Sequence, residues 1–517
     1  MTDKAQMQPA QGDGPARPAY RVWILRFLGL ALALGVWLAL GAATGLSADG
    51  RIIAAIGTLM AVWWISEALP LSVTSLLPIV LIPAFTERTI GETTAPYASP
   101  IVFLFLGGFL IAIAMEKSNL HRRIALMTLR RVGTEPRMIV LGMMIATGFL
   151  SMWVSNTATT LMMLPIGFSI LGLIGTRDGS AGETGGEPGE QSLPDDPRLR
   201  GFGIFLMLAI AWSANIGGLG TLLGSPPNAI VAGYAAVEYG RNIGFLEWMM
   251  VGVPIAAVFM LIAWVLMTRV LFPFDLRKIE GGKALIEDQI RKLGTIDRAE
   301  GMVLLAFGSA AFLWIVPGLV AEFSNAPEEV WWAQLNDTAI AIGAGVALFL
   351  LPGDKRGEAV LEWSDAEKGV PWGVLLLFGG GLSLASAVAA SGLDAWLGQQ
   401  VTGLGALPPI LLIAAVVAIV MFLTEVTSNT ATAATFIPIL GGVALGLGID
   451  PMGLLIPAAL AATCAFMLPV GTPPNAIVFS TGVVTIRQMA TGGIVLNLTG
   501  IILITLIYSW IGPAVFG

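Results

Sequence analysis

The chain is poor in the residues that most enzymes use. Its 517 residues include one cysteine, Cys464, and one histidine, His121. A single cysteine excludes a disulfide within the chain and any cysteine-based metal site. The histidine stands beside Arg122 and Arg123. It is expected to face lipid headgroups rather than to ligate a metal or relay a proton. Charge is scarce as well: Asp, Glu, Lys and Arg make up 12% of the chain, about half the share of a typical soluble protein. No Walker phosphate loop, zinc-protease motif or catalytic triad pattern occurs, which argues against ATP-driven transport within this chain. No nucleophile–base pair is visible, which argues against a membrane enzyme.

Hydrophobic sequence is what fills the length, at 56% of residues. The fold class that follows is an all-α polytopic membrane protein. Eleven apolar segments are long enough to cross, near 24–43, 52–69, 71–86, 101–117, 203–235, 248–272, 301–317, 336–351, 372–390, 452–482 and 493–516. Two further segments, 138–176 and 408–447, are nearly twice as long and carry a polar cluster near the middle. Each is expected to be a re-entrant helical hairpin; two full crossings with a tight turn is the alternative, and length leaves both open. Residues 1–20 are polar, with Pro, Gly and Gln, and are expected to form a disordered cytoplasmic tail. Residues 21–45 form the first membrane helix, too long for a signal-peptide core. Tryptophans near segment ends, such as Trp63, Trp64, Trp331 and Trp332, are expected as interface anchors.

The positive-inside rule orients the layout. With a cytoplasmic N-terminus and an outside C-terminus, all but Arg51, Arg88 and Arg241 of the 27 Lys and Arg residues lie inside or at the inner edge. The formal net charge of −7 says little by comparison.

Two phrases are written twice. SNTATTLMMLPI begins at 155 and SNTATAATFIPI at 428, an offset of 273. GSPPNAIV begins at 224 and GTPPNAIV at 471, an offset of 247. The hydrophilic stretch 177–200, rich in Gly, Glu and Pro, accounts for nearly all of the difference and is expected to be a solvated loop. LFLGGFL at 104–110 answers LLFGGGL at 376–382. Five crossings separate equivalent points, an odd number, so the halves run in opposite senses. The expected architecture is two inverted-topology repeats, 50–272 and 301–517, with the first helix outside the symmetry.

The repeated clusters carry the chemistry. Ser, Asn and Thr are N-cap residues, so each Ser-Asn-Thr should start the return helix of its hairpin and aim a positive dipole end at the membrane centre. Two such ends suit a ligand with two anionic groups. One Ser-Asn-Thr alone would fit plain interhelical hydrogen bonding; two copies, each paired with a Pro-Pro-Asn, favour a site. The prolines break their helices and free carbonyl oxygens, which with the Asn oxygen are hard ligands for Na⁺. No Lys or Arg lies close in sequence to either cluster. A dianion bound without a protein cation calls for bound cations, a direct reason for cotransport. Glu425, three residues before the second Ser-Asn-Thr, is either a proton-coupling group or a structural acceptor, and the structural role is the expected one.

On these two Ser-Asn-Thr hairpins, the two Pro-Pro-Asn breaks and FLFLGGFLIAIAMEKSNLHRR at 103–123, the chain resembles the divalent-anion:sodium symporter family, the group with the INDY-type dicarboxylate transporters. The resemblance runs from about residue 50 to 517. It implies eleven membrane helices, two re-entrant hairpins, a homodimer and an elevator-type movement of a transport domain against a scaffold. It implies sodium-coupled symport of succinate, malate or fumarate across the plasma membrane, with at least two Na⁺ sites. Its first sodium site would involve Ser151, Asn156, Gly224 and the backbone of Val154. The repeat offsets carry that site to Thr424, Thr427, Asn429 and Gly471. The substrate would touch Ser155, Asn156, Thr157, Ser428, Asn429, Thr430 and Thr472. Expected partners are a small divalent anion, membrane lipid and a second copy of the chain, with no nucleic acid. Alternatives are a sodium-independent exchanger or a citrate or sulfate carrier of the same fold. An anion channel is the different-class alternative, disfavoured because the facing helix ends form a closed site rather than a charged ring.

Overall fold

Peptide groups find no water in hydrocarbon, so a chain this apolar must close its backbone hydrogen bonds locally. It does so as helices. Among the described residues the β pairing is one isolated bridge, Pro352 to Ala359. The computed structural model describes residues 19–132, 135–175, 197–272, 282–323, 335–353, 357–400 and 407–517. The tail 1–18, residues 177–196 of the expected loop, and Trp331 and Trp332 lie outside them. Helix Pro197–Gly217 begins four residues before that loop was expected to end.

Eight helical stretches among the described residues are long and apolar enough to cross a bilayer by themselves, from Tyr20–Ala42 to Ile486–Phe516. One of them, Asn429–Gly446, is a hairpin arm. The other seven plus four crossings built from shorter pieces give eleven. Two of the four are Leu71–Thr74 continued by Leu77–Phe85, and Asp337–Leu350. The remaining two are broken helices: Pro197–Gly217 with Pro226–Tyr239, and Met452–Thr463 with Pro473–Ser480. The hairpins are Pro136–Ser151 with Asn156–Gly175, and Pro409–Thr424 with Asn429–Gly446. Each first arm has 16 residues. At about 1.5 Å per residue that is roughly 24 Å, short of the ~30 Å hydrocarbon core. Length by itself does not decide, since Asp337–Leu350 crosses with 14 residues. Each tip ends against the break of a helix, Asn156 beside Gly224 and Asn429 beside Gly471, which favours re-entrant hairpins over pairs of full crossings.

Side-chain bridges sort the loops into two ends. At one end Ser47 Oγ donates to the Ser391 carbonyl at 2.9 Å. There Arg88 donates to the Ser386 carbonyl at 2.9 Å, and Arg241 pairs with Asp450 at 2.7 Å and reaches the Phe516 carbonyl. At the other end Arg26 donates to the Ala68 carbonyl at 3.0 Å, Lys117 pairs with Asp365 at 2.5 Å, and Arg123 pairs with Glu300 at 2.8 Å. Equivalent points of the repeats fall at opposite ends. Asn119 and Gly392, 273 apart, both adopt left-handed backbone, with φ of 58° and 71°. Asn and Gly tolerate that conformation. Each bend turns a membrane helix into a short helix laid on a hairpin. Leu120–Val132 packs on Pro136–Ser151, and Leu393–Gln400 on Asn429–Gly446.

Cores inside a membrane protein are set by packing, and three surface expectations give way to it. His121 is buried, with Nδ1 2.8 Å from the Met115 carbonyl; burial lowers its pKa, so it is a neutral packing residue and does not face headgroups. Trp64 is fully buried and donates to Ser75 Oγ at 3.2 Å, while Trp63 donates to the Arg26 carbonyl at 3.2 Å. Both tie helices together and are not interface anchors.

Arg123 is buried, and besides Glu300 it donates to the Gly294 carbonyl at 2.9 Å. Arg123→Met leaves Glu300 buried without its partner and should cost about 3–5 kcal/mol. Thermal unfolding in detergent reads this, and the double variant Arg123→Met/Glu300→Leu should recover part of the loss. Equal stability of Arg123→Met and the parent would refute a load carried by this ion pair.

Candidate functional site

Two consecutive prolines lack the N–H groups that would continue a helix backwards, so each Pro-Pro starts a new helix after an unwound stretch. The stretches are residues 218–225 and 464–472, the second longer by one residue. Unwound backbone at this depth needs partners. The Asn after each Pro-Pro supplies them. Asn228 Nδ2 donates to the carbonyls of Gly218 and Thr221, both at 2.8 Å. Asn475 Nδ2 donates to those of Ala465 and Leu468, both at 3.1 Å. In both halves the acceptors lie ten and seven residues upstream. Their nitrogens lace the loops, and their Oδ1 atoms, the ones expected to face a cation, are buried without a described hydrogen-bond partner.

A different asparagine stands at each oxygen cluster. One terminal atom of the Asn156 amide lies 2.5 Å from Ser151 Oγ and 3.1 Å from the carbonyl oxygens of Ala214 and Gly224. Its counterpart in Asn429 lies 2.8 Å from Thr424 Oγ1 and 3.1 Å from the carbonyl oxygens of Ala462 and Gly471. With nitrogen turned inward, the amide donates to the surrounding oxygens and satisfies them. With oxygen turned inward, one amide oxygen, one hydroxyl and two carbonyls converge, a hard donor set suited to an alkali cation. Ser151, Asn156 and Gly224 thus come together, as do Thr424, Asn429 and Gly471. Thr427 points elsewhere: its hydroxyl donates to the Leu423 carbonyl at 3.0 Å and meets Thr432 Oγ1 at 2.5 Å. Val154, at the equivalent tip position, is buried, and its N–H donates to the Leu150 carbonyl at 2.9 Å. Ala214 and Ala462 were not foreseen. Their side chains carry no signal, because the carbonyl is the functional group.

The return helices begin at Asn156 and Asn429. Ser155 is exposed, and its hydroxyl caps by accepting from Ala158 N at 3.3 Å. Ser428 makes no side-chain cap bond, so its hydroxyl is not engaged there. Thr157, Ser428 and Thr430 are half-buried beside their asparagines. Thr472 is buried and donates to Asn215 Oδ1 at 3.3 Å. Asn215, also not foreseen, is the link between the halves. It accepts from Asn156 Nδ2 at 3.4 Å and donates to the Ala465 carbonyl at 2.9 Å. Ser225 and Thr463 join the two broken helices again, Oγ1 to Oγ at 3.0 Å. The signal for Asn215 was present: an amide inside an apolar helix is costly unless paired. Among the described contacts Asn215 joins the first tip to the second broken helix, and the partners of the tips include no Arg or Lys. A surface hollow of about 680 Å³ lies elsewhere, on helix Arg298–Phe323, lined by Leu304, Leu305 and Phe312. Apart from Ser309 its lining is Gly and apolar side chains, with no charged group to hold an anion.

Glu425 is buried. Its Oε1 accepts from Phe466 N at 2.7 Å and Met467 N at 3.0 Å, its Oε2 from Met467 N at 3.0 Å and Leu468 N at 3.1 Å, and Asn497 Nδ2 donates to Oε1 at 2.8 Å. This is the structural acceptor expected from sequence, tying the hairpin tip to the unwound loop.

Neither Gly224 nor Gly471 has positive φ, so conformational freedom is not what calls for glycine at these positions. Close approach is the reason, and it differs between the halves. A Cβ on Gly224 would lie 2.6 Å from the Gly218 carbonyl oxygen. One on Gly471 would lie 3.1 Å from the Glu425 carbonyl oxygen and from Ala465 Cβ. Gly224→Ala should therefore abolish transport, and Gly471→Ala should leave a measurable fraction. Initial uptake rates in proteoliposomes decide this, and the reverse order would remove the packing argument.

Three comparisons bear on this geometry. Residues 21–517 match the model of a family described as the sodium:sulfate symporter transmembrane region. A sodium-dependent dicarboxylate transporter, SdcS, of Staphylococcus saprophyticus is 41% identical over 474 residues, 91% of this chain and 88% of that protein. SdcS of Staphylococcus aureus (strain bovine RF122) is 42% identical over 472 residues, 91% of this chain and 87% of that protein. Among solved structures, the YdaH transporter of Alcanivorax borkumensis aligns with a TM-score of 0.58 at 14% identity, over 96% of this chain and 99% of that one. MtrF of Neisseria gonorrhoeae, placed in a class of antimetabolite efflux pumps, aligns at 0.54 and 13%, over 96% and 95%. At such identity these two speak for the fold alone.

Proposed function

Because the chain belongs to the sodium:sulfate symporter family, we propose that it is a secondary transporter that carries a dicarboxylate together with sodium ions. The observation that carries this reading is the duplicated oxygen cluster, Ser151–Asn156–Ala214–Gly224 and Thr424–Asn429–Ala462–Gly471. Two neutral clusters of hard oxygens can hold two monovalent cations. The anion binds between the starts of helices Asn156–Gly175 and Asn429–Gly446, one carboxylate toward each. Ser155, Asn156 and Thr157 contact one end, and Ser428, Asn429, Thr430 and Thr472 the other. Helix dipoles and neutral donors attract the dianion, and the sodium ions offset its charge. Ions and anion share Asn156 and Asn429, so each raises the affinity for the other.

The hairpins and broken helices form the moving body in this reading. They interlock across the repeats, Asn156–Gly175 packing on Pro473–Ser480 and Asn429–Gly446 on Pro226–Tyr239. The bends at Asn119 and Gly392 lie where that body joins the surrounding helices. The chain sits in the plasma membrane with its N-terminus cytoplasmic and its C-terminus outside, as the placement of Lys and Arg favours, and pairs with a second copy. The family description names sulfate and the SdcS relatives are named for dicarboxylates, so both anions belong in the assay.

Labelled succinate uptake into proteoliposomes tests the proposal. Uptake should require external Na⁺ and rise with a Hill coefficient above one. Asn156→Ala and Asn429→Ala should each lower it by at least ~100-fold while folding is kept. Full uptake in choline would favour a sodium-independent exchanger. Sulfate competing better than succinate would reassign the substrate, and wild-type rates in either Asn variant would remove the site.

A further inference from the structure

We propose that Asn215 is a positioning residue for the first cation pocket: its side-chain oxygen holds the Asn156 amide with nitrogen outward and oxygen turned into the Ser151–Ala214–Gly224 cluster. The inference rests on the reading of both clusters as sodium pockets. It adds a residue that touches no ion and acts through one that does.

An asparagine amide can sit either way round, and its neighbours decide. Around the inner atom of Asn156 stand Ser151 Oγ at 2.5 Å and the carbonyl oxygens of Ala214 and Gly224 at 3.1 Å. With no cation among them, these oxygens favour nitrogen inward, and an amide so turned offers no oxygen to an ion. The outer atom of Asn156 lies 3.4 Å from Asn215 Oδ1. Asn215 itself has no such choice. It is fully buried, and one terminal atom of its amide lies 2.9 Å from the Ala465 carbonyl oxygen, which can only accept. That atom is therefore nitrogen, and the one facing Asn156 is oxygen. A nitrogen-inward Asn156 would set its own oxygen against Asn215 Oδ1 in a buried place, where two facing acceptors are costly. Asn215 thus opposes the closed orientation and favours the one that presents oxygen to a cation.

The second pocket lacks this device. The wall carbonyls of Ala214 and Ala462 stand 248 apart, so Asn215 corresponds to Thr463. The Thr463 hydroxyl donates to Ser225 Oγ at 3.0 Å, and among the described hydrogen bonds none joins it to Asn429. Scaffolding by Asn215 is also backed up. Asn475 Nδ2 donates to the same Ala465 carbonyl at 3.1 Å, so that carbonyl stays satisfied without Asn215. No described group replaces the oxygen behind Asn156.

Sodium alone is the probe, with purified full-length protein in detergent and choline chloride holding ionic strength constant. Half-saturating Na⁺ is read from the rise in Tm. Thr424→Ala leaves the first pocket and Ser151→Ala leaves the second. In the Thr424→Ala background, Asn215→Leu keeps the size and removes the oxygen. It should raise half-saturating Na⁺ by roughly three- to tenfold, the worth of one hydrogen bond. In the Ser151→Ala background it should leave half-saturation unchanged. Asn215→Ser, a smaller change that also removes the amide, should behave the same way and decides the matter should the leucine protein not fold. A residue that merely holds the Ala465 loop would shift the second pocket as much as the first, and that result overturns the inference. A parent that responds to Na⁺ while its first pocket is unmoved or tightened by these substitutions refutes the inference alone. A parent Tm indifferent to Na⁺ refutes the sodium pockets themselves, and this inference with them.

Discussion

Everything in this protein follows from the cost of an unpaired peptide group in hydrocarbon. Two helices are broken at residues 218–225 and 464–472, and the N–H and C=O groups so freed must be met by side chains. Asn228 and Asn475 meet two carbonyls each, and Glu425 meets three N–H groups. Once the loops are held, a few carbonyls remain turned toward the hairpin tips. Those carbonyls, from Ala214, Gly224, Ala462 and Gly471, surround Asn156 and Asn429. The oxygen clusters are therefore a by-product of satisfied unwinding.

Close approach comes second. The first hairpin meets its broken helix where Gly148 faces Gly217; a Cβ on Gly217 would lie 2.2 Å from the Gly148 carbonyl oxygen. A Cβ on Gly218 would lie 2.8 Å from Asn156 Oδ1. In a membrane, where apolar packing has no water to escape, small residues bring backbones near enough for dispersion and polar contact to act. The second half reaches the same geometry with looser contacts at Gly471 and with Glu425 as an extra tie. Equivalent positions in the two repeats share a role while bearing different loads.

Much of this was legible in the chain. Polar and helix-breaking clusters stand out against apolar sequence, so the hairpins expected at 138–176 and 408–447 appear as Pro136–Gly175 and Pro409–Gly446. Ser151, Asn156, Thr424 and Asn429 could be placed because the repeat states them twice. Less could be read where the functional atom is a carbonyl, as at Ala214 and Ala462, or where the break is itself apolar. The Pro-Pro pair announced a break, but GLGTLLGS at 218–225 did not show how far upstream the unwinding would reach. Asn228 and Asn475 were visible for their oxygens, while the lacing done by their nitrogens was not, since a buried amide offers both a donor and an acceptor. His121 and Trp64 misled for a related reason. An amphipathic side chain near a helix end can face headgroups or a neighbouring helix, and packing chooses.

Inverted symmetry by itself would give two identical half-sites and hence an energy surface indifferent to direction. Each repeat sees the opposite side of the membrane, so exchanging their roles exchanges inward- and outward-facing states. Any residue that differs between the halves at the site breaks that equivalence. Most differences here are conservative, Ser151 for Thr424 or Ser225 for Thr472. The exchange of Met152 for Glu425 is not, because it sets a carboxyl group that binds a loop against a thioether that only packs. A carboxyl group held by three backbone N–H groups cannot leave without freeing them, so it stays fixed to its loop whichever way the loop faces. What the membrane-facing state changes is the water and ion supply on either side. In the proposed elevator movement, an asymmetry built into the moving body itself, rather than into the surrounding helices, is the kind that persists through the whole transport cycle.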